Sequence, residues 1–112
     1  MFAMLMGLKG IAPRNLHECM KLGTMTVVDV NARPSWLKAR VPGALNLAPH
    51  FDEALLPADR AAPLVFYCSN PLCRKAPTAA RRAENLGYTD VRVMSAGIVG
   101  WVGARLPVDS GD

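Results

Sequence analysis

In the stretch FYCSNPLCRKAP, residues 66–77, two cysteines stand five positions apart with Arg74 and Lys75 directly behind them. A metal clip, a disulfide, or a loop with one nucleophilic thiolate could each use that set. Metal is the weakest reading, because neither His17 nor His50 stands at ligand spacing to the pair. A nucleophile must be ionised. Cys68 ends an apolar run of strand character, and a helix is expected soon after it. In such a turn successive backbone N–H groups can point inward and form an anion-binding nest at the helix N-terminus. The partial positive charge there, with Arg74 and Lys75, pulls a thiol below its ordinary pKa range. Cys68 is therefore expected to be nucleophilic at neutral pH, in a pocket that binds anions. The bland alternative is a buried strand-end cysteine with two solvated basic neighbours.

The elements that must position this loop are legible in the hydrophobic pattern. Residues 13–22 carry Leu16, Cys19, Met20 and Leu22 at helical spacing, opened by Pro13 and stopped by Gly23. TMTVVDV, 24–30, is a β-branched strand. A polar loop follows, then a Pro42–Gly43 turn and a short strand within 41–48. Residues 50–56 read as a short helix that His50 caps, and 63–68 as an apolar strand. Residues 76–86 form a helix with Pro77 in its first turn, Gly87 at its end, and Ala79, Ala80, Ala83 and Leu86 facing the core. Residues 90–94 alternate like a strand, and 97–108 give a Gly-rich helix, closing on Trp101, and a tail. Strands alternating with helices imply an α/β sandwich around a small parallel sheet. The loops after the strands then share one edge, where a ligand site is expected.

The chain has 112 residues, enough for one domain. Residues 11–112 are assigned to it, and 1–10 to an apolar N-terminal segment that packs on the domain or a partner, or frays. Thirteen basic against nine acidic residues give a formal net charge of +4, which favours anionic ligands or acidic partners. The basic residues are scattered and the aromatics few, which argues against a nucleic-acid surface. The apolar start is too short to cross a membrane. An odd count of three cysteines argues for a reducing, cytoplasmic compartment. Cys19 reads as inert core.

TVVDV followed by VPGALNL, then LVFYC with the helix AARRAENLGYTDV, then MSAGIVGWVGARLPV, resembles the single-domain rhodaneses, a sulfurtransferase family. The similarity runs from about Ile11 to Val108. It implies a three-layer α/β sandwich, with about five strands flanked by helices. The resemblance implies that Cys68 attacks the outer sulfur of thiosulfate or a persulfide. Its own persulfide, held by inward amides of residues 69–74, then passes sulfur to a thiophilic acceptor, with no metal or organic cofactor. The anion-binding loop would comprise Ser69, Asn70, Pro71, Leu72, Arg74 and Lys75. Asp29, Arg33 and Arg40 would support it, Asp29 as an organiser of neighbouring loops rather than a base. A protein sulfur donor or acceptor is a further expected partner.

The departures from the family pattern define what needs testing. Asn31 stands where the family has Arg, with Arg33 as a stand-in, and Arg40 brings a permanent charge where the family has His. The loop is longer than usual and lacks Gly, and Pro71 has no N–H to give. Thiosulfate is then expected to be a poorer donor than a larger or protein-borne one. Cys73 is open between a thiol that resolves or relays the persulfide and a small apolar plug. Cys68-x5-Arg74 also fits the spacing of cysteine phosphatases and arsenate reductases on this fold, but 69–77 offers no carboxylic acid for a leaving group. A non-catalytic, protein-binding version of the fold is the other rival. Trp101 is expected to shape a pocket wall, and Trp36 to cover a loop.

Overall fold

The two most apolar runs become the centre of the sheet. In the computed structural model, which describes residues 7–112, β2 (Thr26–Asp29) and β4 (Leu64–Tyr67) pair in parallel, with Asp29 opposite Tyr67. All four residues of β4 are buried, as they must be when both faces of a parallel sheet are covered. β1 (Lys9–Gly10), β3 (Leu45–Asn46) and β5 (Val91–Val93) complete a five-stranded, all-parallel sheet in the order β1-β5-β4-β2-β3.

Alternation along the strands divides the core into two layers. Val28, Leu64 and Phe66 face one side, where Ala76, Ala79, Ala80 and Ala83 of helix α3 (Lys75–Asn85) pack. The alanines let the helix lie close to the sheet. Val27, Val65 and Tyr67 face the other side, against Leu16 of α1 (Pro13–Met20) and Trp101 of α4 (Gly97–Gly103). The result is the expected α/β sandwich. Helix α2 (Arg33–Lys38) lies in the stretch read as a polar loop. It has no buried residue and little apolar periodicity to announce it.

Two other expectations change. The helix anticipated over 50–56 is a single 3₁₀ turn, Glu53–Leu55, and its cap is Asp52, whose Oδ1 accepts the Ala54 N–H at 3.0 Å, while His50 is exposed. The boundary drawn at residue 11 falls just after a strand: Lys9–Gly10 pair with β5, and Leu8 is buried in the core beneath α3. Residues 1–6 of the apolar start lie outside the described residues. Among the described residues no helix is long and apolar enough to cross a membrane.

After β2 the chain moves to β3, and after β4 it moves the other way, to β5. The connections therefore diverge between β2 and β4. Such a switch point is where open α/β sheets bind ligands, outside the carboxyl ends of the strands.

Candidate active site

Cys68 is the first residue beyond β4, and only 3% of its surface is exposed. Its position is held from the side by α4. Ile98 N–H donates to the Cys68 carbonyl at 2.9 Å, and Val99 N–H to the Ser69 carbonyl at 3.1 Å. This close docking requires Gly97, whose φ is +67°. A Cβ there would lie 2.5 Å from the Ser69 carbonyl carbon, nearer than atoms can pack.

The loop interior departs from the expected cradle. Asn70 organises it: its Oδ1 accepts Leu72 N–H at 2.9 Å, and its carbonyl accepts Cys73 N–H at 3.1 Å. That side-chain turn is a habit of Asn. With Pro71 offering no N–H, three of the six positions 69–74 have no amide left for an anion. Leu72 points outward, 78% exposed. The chain returns at Cys73, which is disulfide-bonded to Cys68 with 6.4 Å between their Cα atoms, within the ordinary span for such a bridge. Arg74 takes the N-cap position of α3, and Lys75 is its first residue; both are exposed.

Beside the disulfide lies a small hollow that opens to solvent. Asn70, Pro71 and the two cysteines form one wall, Ala76 and Pro77 of α3 a second. Val93, Met94 and Ser95, which follow from β5, form the third. No charged side chain lines it, Arg74 and Lys75 included. The anion pocket expected around these two cations is therefore a largely apolar one, on the β5 flank of β4. Trp101, expected as a wall, is instead fully buried on the opposite face of the sheet, its indole N–H donating to the Pro107 carbonyl at 2.7 Å.

The switch point itself is filled by a polar network. Asp29 is completely buried; its Oδ2 accepts Tyr67 O–H at 2.7 Å and its Oδ1 accepts Asn31 N–H at 2.8 Å. Val41 N–H donates to Tyr67 Oη at 3.0 Å. Burial pushes the Asp29 carboxyl above its ordinary pKa, against the opposing pull of the Tyr67 and Asn31 hydrogen bonds and the Arg40 charge. Burial, with the adjacent Asp29, pushes the Tyr67 hydroxyl far up, so it stays protonated and donating. Ser69 O–H then donates to Asn31 Oδ1 at 2.7 Å, and Asn46 Nδ2 donates to the Asn31 carbonyl at 2.8 Å. Asn31 thereby joins the end of β2 to the residue after Cys68. The departure from the family pattern at Asn31 is the signal in the sequence that marks this link.

Arg33 and Arg40 are turned elsewhere. Arg40 stacks on Trp36, 3.8 Å from the ring centroid, donates to the Gly111 carbonyl at 2.7 Å, and pairs through its backbone with Asp109. Arg33 reaches Asp112 at 3.2 Å. Arg33 opens helix α2 and Arg40 follows just beyond its end, and both fasten the C-terminal tail rather than the cysteine loop. Trp36 covers the turn before β3 through its indole N–H, which donates to the Ala44 carbonyl at 3.0 Å. Cys19 is half-buried and unbridged. Among the described residues no three His, Cys, Asp or Glu converge as a metal set.

Residues 12–104 match the family described as Rhodanese-like domain. Over 92 residues the chain is 37% identical to an HTH-type transcriptional regulator of Mycobacterium tuberculosis, Rv0324, covering 80% of this chain but only 39% of that regulator's length. The BH2092 protein of Bacillus halodurans has the same fold, with a TM-score of 0.81 and 22% identity over 91% of this chain and 77% of its own. RPA3614 of Rhodopseudomonas palustris, described as of unknown function and a possible tyrosine phosphatase, aligns with a TM-score of 0.74 and 18% identity over 92% of this chain and 86% of its own.

Proposed function

The chain belongs to the rhodanese-like domain family, and from that premise we propose that it is a sulfurtransferase working through a Cys68 persulfide. The Cys68 thiolate attacks the outer sulfur of a persulfide or thiosulfate donor, and the sulfur then passes to a thiophilic acceptor. This is nucleophilic catalysis in two half-reactions. The observation that carries the reading is the seat of Cys68, one residue past the central strand, gripped by α4 and facing a hollow at the carboxyl edge of the sheet. The uncharged lining favours an organic persulfide over the thiosulfate dianion, whose desolvation no charged side chain in the hollow would offset.

Steady-state thiocyanate formation with cyanide as acceptor tests the reading. Activity is expected with both donors, higher with the organic persulfide, and should fall to the uncatalysed rate in Cys68→Ala. Wild-type protein inactive with both donors would contradict it. The Cys68-x5-Arg74 spacing and the likeness to RPA3614 favour phosphoryl transfer as the second reading. It lacks an acid: no carboxylate lines the hollow, and both oxygens of Asp29 are engaged within the scaffold. Hydrolysis of p-nitrophenyl phosphate is expected to be absent.

A further inference from the structure

We propose that Cys73 makes this loop a sulfane-sulfur reductase, which expels sulfide from the Cys68 persulfide and closes to the Cys68–Cys73 disulfide. The inference rests on the Cys68 persulfide proposed above and adds a second outcome for its sulfur.

Three observations converge on it. The two sulfurs already meet across a loop of five residues' separation. Asn70 is what folds the loop back, by taking the N–H groups of Leu72 and Cys73. Those same bonds, with Pro71, remove amides that would otherwise stabilise an anionic outer sulfur. A persulfide here is thus poorly cradled and has a thiol beside it. Cys73 is also half-buried and packed against the core under α3, so its approach needs little further ordering and the attack is intramolecular.

The steps balance. The Cys68 thiolate takes the outer sulfur of an organic persulfide R–S–SH, forming Cys68–S–SH and releasing R–S⁻. The Cys73 thiolate then attacks Cys68 Sγ. The bond from Sγ to the outer sulfur breaks, HS⁻ leaves, and the Cys68–Cys73 bond forms. The outer sulfur gains two electrons and each cysteine gives up one. A dithiol reductant, becoming a disulfide itself, returns both cysteines to thiols for another turnover.

The test is a single turnover of the full chain, reduced, freed of small thiols and mixed with one equivalent of glutathione persulfide, without cyanide or reductant. Sulfide release and intact mass are followed together. The expected result is one sulfide per chain and a mass two hydrogens below the reduced protein, reversed by dithiothreitol. Cys73→Ser, which keeps the side-chain size, should gain one sulfur at Cys68 and release sulfide at least about tenfold more slowly. Wild-type protein that keeps the sulfur, or Cys73→Ser that releases sulfide as fast as wild type, overturns the inference and leaves the Cys68 persulfide standing. No sulfur uptake and no sulfide from either protein would overturn both.

Discussion

At the carboxyl end of β2, Asp29 and Asn31 are buried, and their side chains are tied to Tyr67 and Ser69. At the carboxyl end of β4, one strand over and in register, the chain carries two sulfurs, a proline, an exposed leucine and an uncharged hollow. The first end is polar and closed; the second is apolar and open. Buried polar groups that are fully hydrogen-bonded hold a single geometry. A nucleophile, by contrast, needs room for its partner and for the intermediate it forms. The comparison teaches that the cysteine loop is held by its neighbours: from β2 through Asn31, and from α4 through the carbonyls of Cys68 and Ser69.

The largest effect should come from prying α4 off the β4 end. Gly97→Ala forces a side chain into a left-handed backbone and into the Ser69 carbonyl. It should cost about 2–3 kcal/mol in denaturant unfolding, and the surviving folded protein should turn over sulfur more slowly. A melt matching wild type would mean that the loop does not need this close approach.

Asn31→Ala cuts one of the two side-chain links between the ends, keeping Tyr67–Asp29, and leaves Ser69 without its acceptor. A loss of about 1 kcal/mol is expected, with a fall in sulfur-transfer rate larger than the stability change explains, because Ser69 adjoins Cys68. Equal rates in variant and wild type would show that the Asn31–Ser69 link does not brace the β4 end.

The smallest effect is a slope. Burial raises the Asp29 carboxyl above 3.8, so the folded state holds that proton more tightly than the unfolded chain does. The stability this contributes is full below the unfolded value and is lost as pH rises through the folded one. Asp29→Asn cannot titrate. Unfolding free energies of the two proteins, compared from acid to neutral pH, should therefore shift against the wild type as pH rises. A shift the other way would mean that the hydrogen bonds outweigh burial.

How far the sequence carried these conclusions depended on the range of the forces involved. The sheet was legible because β2 and β4 are continuous apolar runs, and α3 because its alanines recur at helical spacing. Helix α2 was not, since RPSWLK has only Trp36 and Leu37 as apolar residues and little burial to impose a period. Arg33 begins that helix and Arg40 follows its end, which leaves both beside Trp36 and the C-terminal tail. Cys68 was legible as the nucleophile candidate from its place after an apolar strand. The direction of the loop amides was not, because one residue, Asn70, takes two of them, one on its side chain and one on its carbonyl. The Asn31–Ser69 bond spans 38 positions and exists only because the strand register brings those ends together.

The central claim, that Cys68 carries the transferred sulfur, is tested most directly by intact-mass measurement with peptide mapping after loading with an organic persulfide. Cys73→Ser is the protein to load, so that the intermediate persists. One added sulfur on the peptide containing Cys68, discharged as thiocyanate by cyanide and absent when Cys68 is also replaced by Ala, is the predicted result. No added sulfur, or sulfur found only on Cys19, would contradict it.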